Sequence, residues 1–230
     1  HVLVHPPGGM VGGDTLDISL SLGASSHAVI TSPGAARFYR SAGETALQQV
    51  TARVAAGARL EWLPLETLAY SGCEGENRMR FELAPGAETI GWDVLALGLP
   101  AADQPFVRGR YRQHIEIPGR WLERGRIAAD DAVLRGPGPG WDGQGVLATL
   151  WFASGEALPA ARRDALLEAA RSCIAGHALA PRAGVTSPQP GVVVLRALAA
   201  RVEPAMALLQ QVRAAWRQAA WGLAAEPPRI

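Results

Sequence analysis

Leu16-Asp17-Ile18-Ser19-Leu20-Ser21-Leu22 alternates apolar and polar side chains without a fault, as a strand does when one face is buried and the other meets water. Shorter runs of similar character follow at His27 to Thr31, Leu60 to Leu65, Met79 to Leu83, Trp92 to Leu97, Gln113 to Ile117 and Trp121 to Ile127. Gly, Pro, Asn and Asp punctuate these runs, as turn chemistry demands. A Gly-Ala pair precedes an apolar strand at Gly23-Ala24, Gly57-Ala58 and Gly86-Ala87. The spacing, roughly thirty residues, is a period often seen in stacked-coil architectures. The copies share little other sequence, so stacked coils and ordinary turns both account for the recurrence.

The last third changes period. Between Pro159 and Leu179, the residues Leu166, Leu167, Ala170, Cys173 and Ile174 recur at helical spacing, while Arg162, Arg163, Asp164 and Arg171 lie largely elsewhere. Pro159 suits a first helical turn and Gly176 a plausible end. A second helix is expected from about Pro204 to Leu223, with Met206, Leu209, Val212, Trp216 and Ala220 as its stripe. Gly191 to Arg196 is a continuous apolar run between them, best read as a central strand. The Gly136-Pro137-Gly138-Pro139-Gly140 stretch is a loop and not a domain linker, because apolar patterns resume at once. The expected fold is α+β and mostly β: one domain over 1–230, with many strands first and two α-helices in the C-terminal third.

Composition narrows the chemistry. Apolar residues are 48% of the 230 and charged residues 19%, which suits a globular chain with a real core. All 22 basic residues are arginine. Without lysine there is no P-loop lysine, no Schiff-base lysine and no kinase-type phosphate lysine. A net charge of +1 argues against nucleic acid as the main partner. No apolar run approaches the roughly 20 residues of a membrane span, and the N-terminus does not read as a signal peptide, so a cytoplasmic protein is expected. Cys73 and Cys173 form no metal-knuckle spacing and are expected to be buried free thiols.

No GxSxG, HExxH, GxGxxG or paired-carboxylate motif is present. His1 and His5 would share one face of a strand, but two imidazoles do not make a metal site. Three carboxylates stand out. Asp14 follows the Gly12-Gly13 turn, Asp93 lies in the apolar Trp92-Asp93-Val94-Leu95, and Glu123 lies in Trp121-Leu122-Glu123-Arg124. A carboxylate in such company is paired with arginine, capped by backbone N–H groups, or exposed on a polar face.

Longer motifs carry a resemblance. They are His5-Pro6-Pro7-Gly8-Gly9-Met10-Val11-Gly12-Gly13-Asp14, Thr31-Ser32-Pro33-Gly34-Ala35-Ala36-Arg37-Phe38-Tyr39-Arg40-Ser41, Leu60-Glu61-Trp62-Leu63-Pro64-Leu65-Glu66-Thr67, Gly91-Trp92-Asp93 through Leu97-Gly98-Leu99-Pro100, and Pro228-Arg229-Ile230. In this order, and over nearly the whole chain, they closely resemble the UreD (UreH) family of urease accessory proteins. The family normally has a further β-rich segment before the His-Pro-Pro-Gly-Gly run and continues past Pro-Arg-Ile with a tryptophan. Set against it, the chain reads as trimmed at both ends.

The resemblance implies a β-helical body of stacked strands carrying two helices, and a function no catalytic motif would reveal. Such a protein is not an enzyme. It binds UreF, and through it the GTPase UreG. The assembly docks on apo-urease, and nickel passes to urease along an internal channel. It implies no tightly bound cofactor, nickel(II) as transient cargo, and neither nucleic acid nor membrane as partner. Nickel accepts oxygen and nitrogen ligands, whereas a thiolate cluster would hold it too tightly to release. Asp14, Asp93 and Glu123 lie in family-matching segments and are the candidate transient ligands. Pro6, Pro7 and the glycines after them are expected to shape backbone, Phe38-Tyr39-Arg40 to suit an interface, and one of Trp216 and Trp221 to be exposed for a partner. Two alternatives stay open: a protein-binding module with no metal role, and a β-solenoid carbohydrate-active enzyme.

Overall fold

In the computed structural model, which describes residues 1–224, the recurring turns do stack. β1 (Thr15–Leu22), β2 (His27–Thr31) and β3 (Ala36–Phe38) form a first coil, and β4 (Ala46–Val54), β5 (Arg59–Leu63) and β6 (Thr67–Ala69) a second. A third consists of β7 (Glu74–Leu83) and the long β8 (Glu88–Leu97), which pairs with both β5 and β6. Successive coils pair in parallel, with His27, Arg59 and Glu88 in one register column. That register places Ser25, not Gly23, in the column of Gly57 and Gly86. All three have left-handed backbone, at φ of 58°, 67° and 72°. The repeat is therefore a positive-φ residue followed by a small one, and serine replaces glycine in the first copy.

After the third coil the chain turns antiparallel. β9 (Arg110–Ile117) still lies parallel to β7, but β10 (Trp121–Ala128) returns along it to complete a five-stranded sheet ordered β1-β4-β7-β9-β10. β11 (Val146–Ser154), β12 (Ala183–Gln189) and β13 (Val192–Ala199) extend the other sheet, whose main path runs β12-β13-β11-β8-β5-β2. The expected central strand is β13, flanked by β12 and β11. The fold is a β-solenoid-like stack of strands with three α-helices: the one-turn α1 (Ala132–Arg135), α2 (Ala160–Ala175) and α3 (Val202–Trp221). The Gly136–Gly140 stretch is the loop after α1.

Apolar side chains form three clusters. One lies between α2, α3 and the outer face of the eight-stranded sheet, built on Trp92, Leu150, Phe152, Leu166, Leu209 and Trp216. The other two lie between the sheets: Trp62, Phe81, Trp121 and Trp151 at one end, and Phe38, Leu95, Tyr111 and Trp141 at the other. The helix layer is also fastened by buried charge. Glu61 on β5 takes Arg213 and Arg217 from α3 and His27 from β2, the last at 2.8 Å. Glu88 pairs with Arg162 of α2 and accepts from Trp221 Nε1 at 2.6 Å.

Several expectations need correction. His1 to His5 is not a strand; Val2 makes one isolated bridge, to Thr31, and both histidines are exposed. The helix expected from Pro159 is α2, which stops at Ala175 with Gly176 capping it, so Leu179 lies beyond. Trp216 and Trp221 are both buried, because α3 packs a broad face against the sheet and Trp221 folds back onto Glu88. Cys73 is buried and Cys173 only half so. Phe38 is core, Tyr39 half-buried and Arg40 exposed. Pro228-Arg229-Ile230 lies outside the described residues.

Candidate functional site: a polar layer between the sheets

The two inter-sheet apolar clusters are separated by polar side chains. Strand alternation sends every second residue of the five-stranded sheet inward. One inward rung is Gln48 on β4, Asn77 on β7, Gln113 on β9 and Gly125 on β10, directly paired in that order. From the other sheet Asp93 on β8 meets this rung. Its carboxylate accepts from Asn77 Nδ2 at 3.0 Å and from Gln113 Nε2. Asp93 is paired across β8 with Thr149 of β11, and Thr149 with Arg196 of β13. Arg196 is ion-paired with Glu123, which points inward from β10.

A cavity of about 550 Å³ opens onto this layer from the first-coil side. Asp93, Asn77, Gln48, Thr67 and Trp62 line its depth, and His5, Asp17 and Arg37 lie among its remaining wall. Trp62 Nε1 and Thr149 Oγ1 are buried with no hydrogen-bond partner among the described residues. Both are donors beside Asp93 or the cavity, and a buried donor left unpaired costs about 1–3 kcal/mol. Water or a hydrated cargo in the layer would satisfy them.

Burial pushes the Asp93 carboxyl up to about 6, against the two amide donors that favour its charged form. The neighbouring Tyr111 hydroxyl is pushed well above its ordinary range, first by burial and then by the Asp93 charge. Burial pushes the Cys73 thiol up to about 12 and raises that of Cys173, so neither is a thiolate at neutral pH without a metal to displace its proton. No three His, Cys, Asp or Glu side chains converge on a metal-binding geometry among the described residues. What the layer offers is one ionisable carboxylate amid amide and hydroxyl oxygens. Such a set attracts a hard or borderline cation without caging it.

The three carboxylates singled out in the sequence thus meet different fates. Asp93 is in the layer, whereas Glu123 is partly exposed and ion-paired with the exposed Arg196, a strand neighbour of Thr149. Asp14 is exposed outside it, and its Oδ2 accepts the Val11 N–H at 2.9 Å across the turn it closes. Gln48, Asn77 and Gln113 were missed. The signal existed: Gln113 alternates with Ile115 and Ile117, and Asn77 with Met79 and Phe81, which puts an amide on each strand's apolar face.

Comparison with known proteins places the chain in a family. The family model described as UreD urease accessory protein matches residues 1–230. Among curated relatives, one from Leptothrix cholodnii is 62% identical over 230 residues, covering the whole chain and 83% of the relative. Others from Albidiferax ferrireducens and Paracidovorax citrulli are 60% and 58% identical with the same coverage. Each carries the name urease accessory protein UreD.

Proposed function

The chain belongs to the UreD urease accessory protein family, which ties it to urease maturation, and from that premise we propose a non-catalytic part in which it passes nickel(II) to apo-urease through its inter-sheet interior. The observation that carries this reading is Asp93: a buried carboxylate, held by Asn77 and Gln113, at the inner end of a cavity. A folded core gains nothing by placing an ionisable group there, since its charge opposes burial and no cation among the described residues offsets it. A conduit requires such a group, strong enough to draw the ion from water and weak enough to let it go.

In this reading Asp93 supplies the negative charge while Asn77 and Gln113 hold its oxygens in place. Glu123 is a second station, where the incoming cation must compete with the Arg196 guanidinium. Asp14, with Oδ2 held by the Val11 amide and its other oxygen facing water, is the outermost candidate. The chain acts with UreF directly, with UreG through UreF, and with apo-urease, and needs no resident cofactor. Nucleotide chemistry falls to UreG, in keeping with a chain that has no lysine.

Two steps test the proposal. Co-expression with tagged UreF from the same genome, followed by size-exclusion chromatography, should give one co-eluting complex. Asp93→Ala should leave that complex intact while lowering nickel delivery to urease. Full urease activation by an Asp93→Ala complex would leave only the protein-binding role.

A further inference from the structure

Among the described residues no helix layer covers the outward face of the five-stranded sheet, unlike its counterpart. Its side chains fall into rungs, each read across β4, β7, β9 and β10. One is Leu47, Glu76, Arg112 and Arg126; the next is Gln49, Arg78, His114 and Arg124; a third is Thr51, Arg80, Glu116 and Leu122. On β7 the charges are balanced. Glu76 is shared by Arg78 at 2.6 Å and Arg112 at 3.2 Å, and Glu116 accepts from Arg80 at 2.8 Å. Beyond them the balance fails. Arg126 stands directly opposite Arg112, and Arg124 directly opposite His114. Both Arg124 and Arg126 are exposed, and neither has an ion-pair partner among the described residues.

Like charges directly opposed on neighbouring strands disfavour the sheet that holds them. We propose that the outward face of β9 and β10 docks a protein partner presenting a cluster of carboxylates, with Arg124 and Arg126 as its anchors and Arg112 beside them. Leu122, 49% exposed on the same face, gives the contact an apolar rim. A protein surface fits better than a nucleic acid. The cationic strip is bounded by Glu74, Glu76 and Glu116, which a phosphate backbone running across the sheet would meet, and the chain's net charge is only +1. Charge at an edge strand also blocks edge-to-edge aggregation. Either sign would serve that purpose, so charge reversal separates the two roles. The proposal is independent of the metal-transfer reading, because these side chains point away from the interior.

The test uses the full chain, fluorescein-labelled decaglutamate and a short labelled DNA duplex, read by fluorescence anisotropy at low and high salt. The wild-type chain should bind decaglutamate more tightly than the duplex, with an affinity that falls as salt rises. R124E/R126E should weaken it by at least about tenfold. R171E/R201E, with the same change in net charge elsewhere on the surface, should stay within about twofold of wild type. R126Q, which relieves the opposition to Arg112, should melt no lower than wild type. Equal loss in both double variants, unchanged binding by R124E/R126E, tighter binding of the duplex, or a lower melting temperature for R126Q would each overturn the proposal.

Discussion

β8 divides two interiors that treat charge in opposite ways. All ten of its residues are buried. Toward the helices it offers Ile90, Trp92, Val94 and Ala96, packed under α2 and α3. Toward the other sheet it offers Thr89, Gly91 and Asp93. On the helix side every buried carboxylate has cationic company. Burial pushes Glu61 up, but the His27 hydrogen bond and the Arg213 charge outweigh it and hold the carboxyl below its ordinary range. Between the sheets Asp93 has, among the described residues, only neutral amides as partners, and burial prevails. Paired charge fixes the helices in place; unpaired charge leaves a site with affinity to spare.

The contrast can be broken at several points. The largest effect is expected at Glu61. E61L leaves Arg213 and Arg217 in the helix interface without their shared carboxylate and should cost about 3–5 kcal/mol. For a chain of this size that lowers the melting temperature by roughly 10 °C, read by circular dichroism. A loss below about 1 kcal/mol would mean that the ion pairs do not fasten the layer. Next is G91A, since a Cβ there runs into the Trp151 indole. Crowding of this kind costs about 1–3 kcal/mol, and urea titration would show it as a lower midpoint at unchanged slope.

Asp93 reverses the sign. Burial pushes its native pKa up to about 6, above the ordinary aspartate range, so its ionisation opposes folding. The stability is fully present below about pH 4 and lost as pH rises through 6. A difference of about two units corresponds to about 3 kcal/mol. D93N, neutral throughout but a poorer partner for two amide donors, should gain about 1–2 kcal/mol at pH 7.5 and nothing at pH 4. Urea titrations at both pH values decide it, and a loss at pH 7.5 would place Asp93 among structural residues. The smallest change is D14A, which removes one exposed turn hydrogen bond and should cost about 0.5–1 kcal/mol.

Much of this was legible in the sequence, for a physical reason. Leu16 to Leu22 has one wet and one dry face, so its period declares the strand. The run at Trp121 was visible on the same ground, and those at His27 and Trp92 as short apolar runs between turn residues, although β8 is buried on both faces. β4, as Ala46-Leu47-Gln48-Gln49-Val50-Thr51, was not read, because Gln48 sits on the buried face where an apolar residue was expected. The substitution that hid the strand is part of the site. β11 is buried on both faces, and a continuous apolar run has no period to read. Asp93 was visible as a carboxylate in apolar company. Its partners were not, because Asn77 and Gln113 reach it through the pairing of two sheets, which no local pattern encodes.

The most direct measurement is the nickel content of urease matured with D93N in place of the wild-type chain, within an otherwise complete accessory complex. Asparagine keeps the shape of the site, removes its charge and replaces one of the two acceptor oxygens with an amide NH2. If the polar layer conducts the metal, the complex should assemble as before while nickel per urease active site falls by about tenfold or more. Full loading of urease through the D93N complex would contradict the account and leave the buried carboxylate without a part in metal transfer.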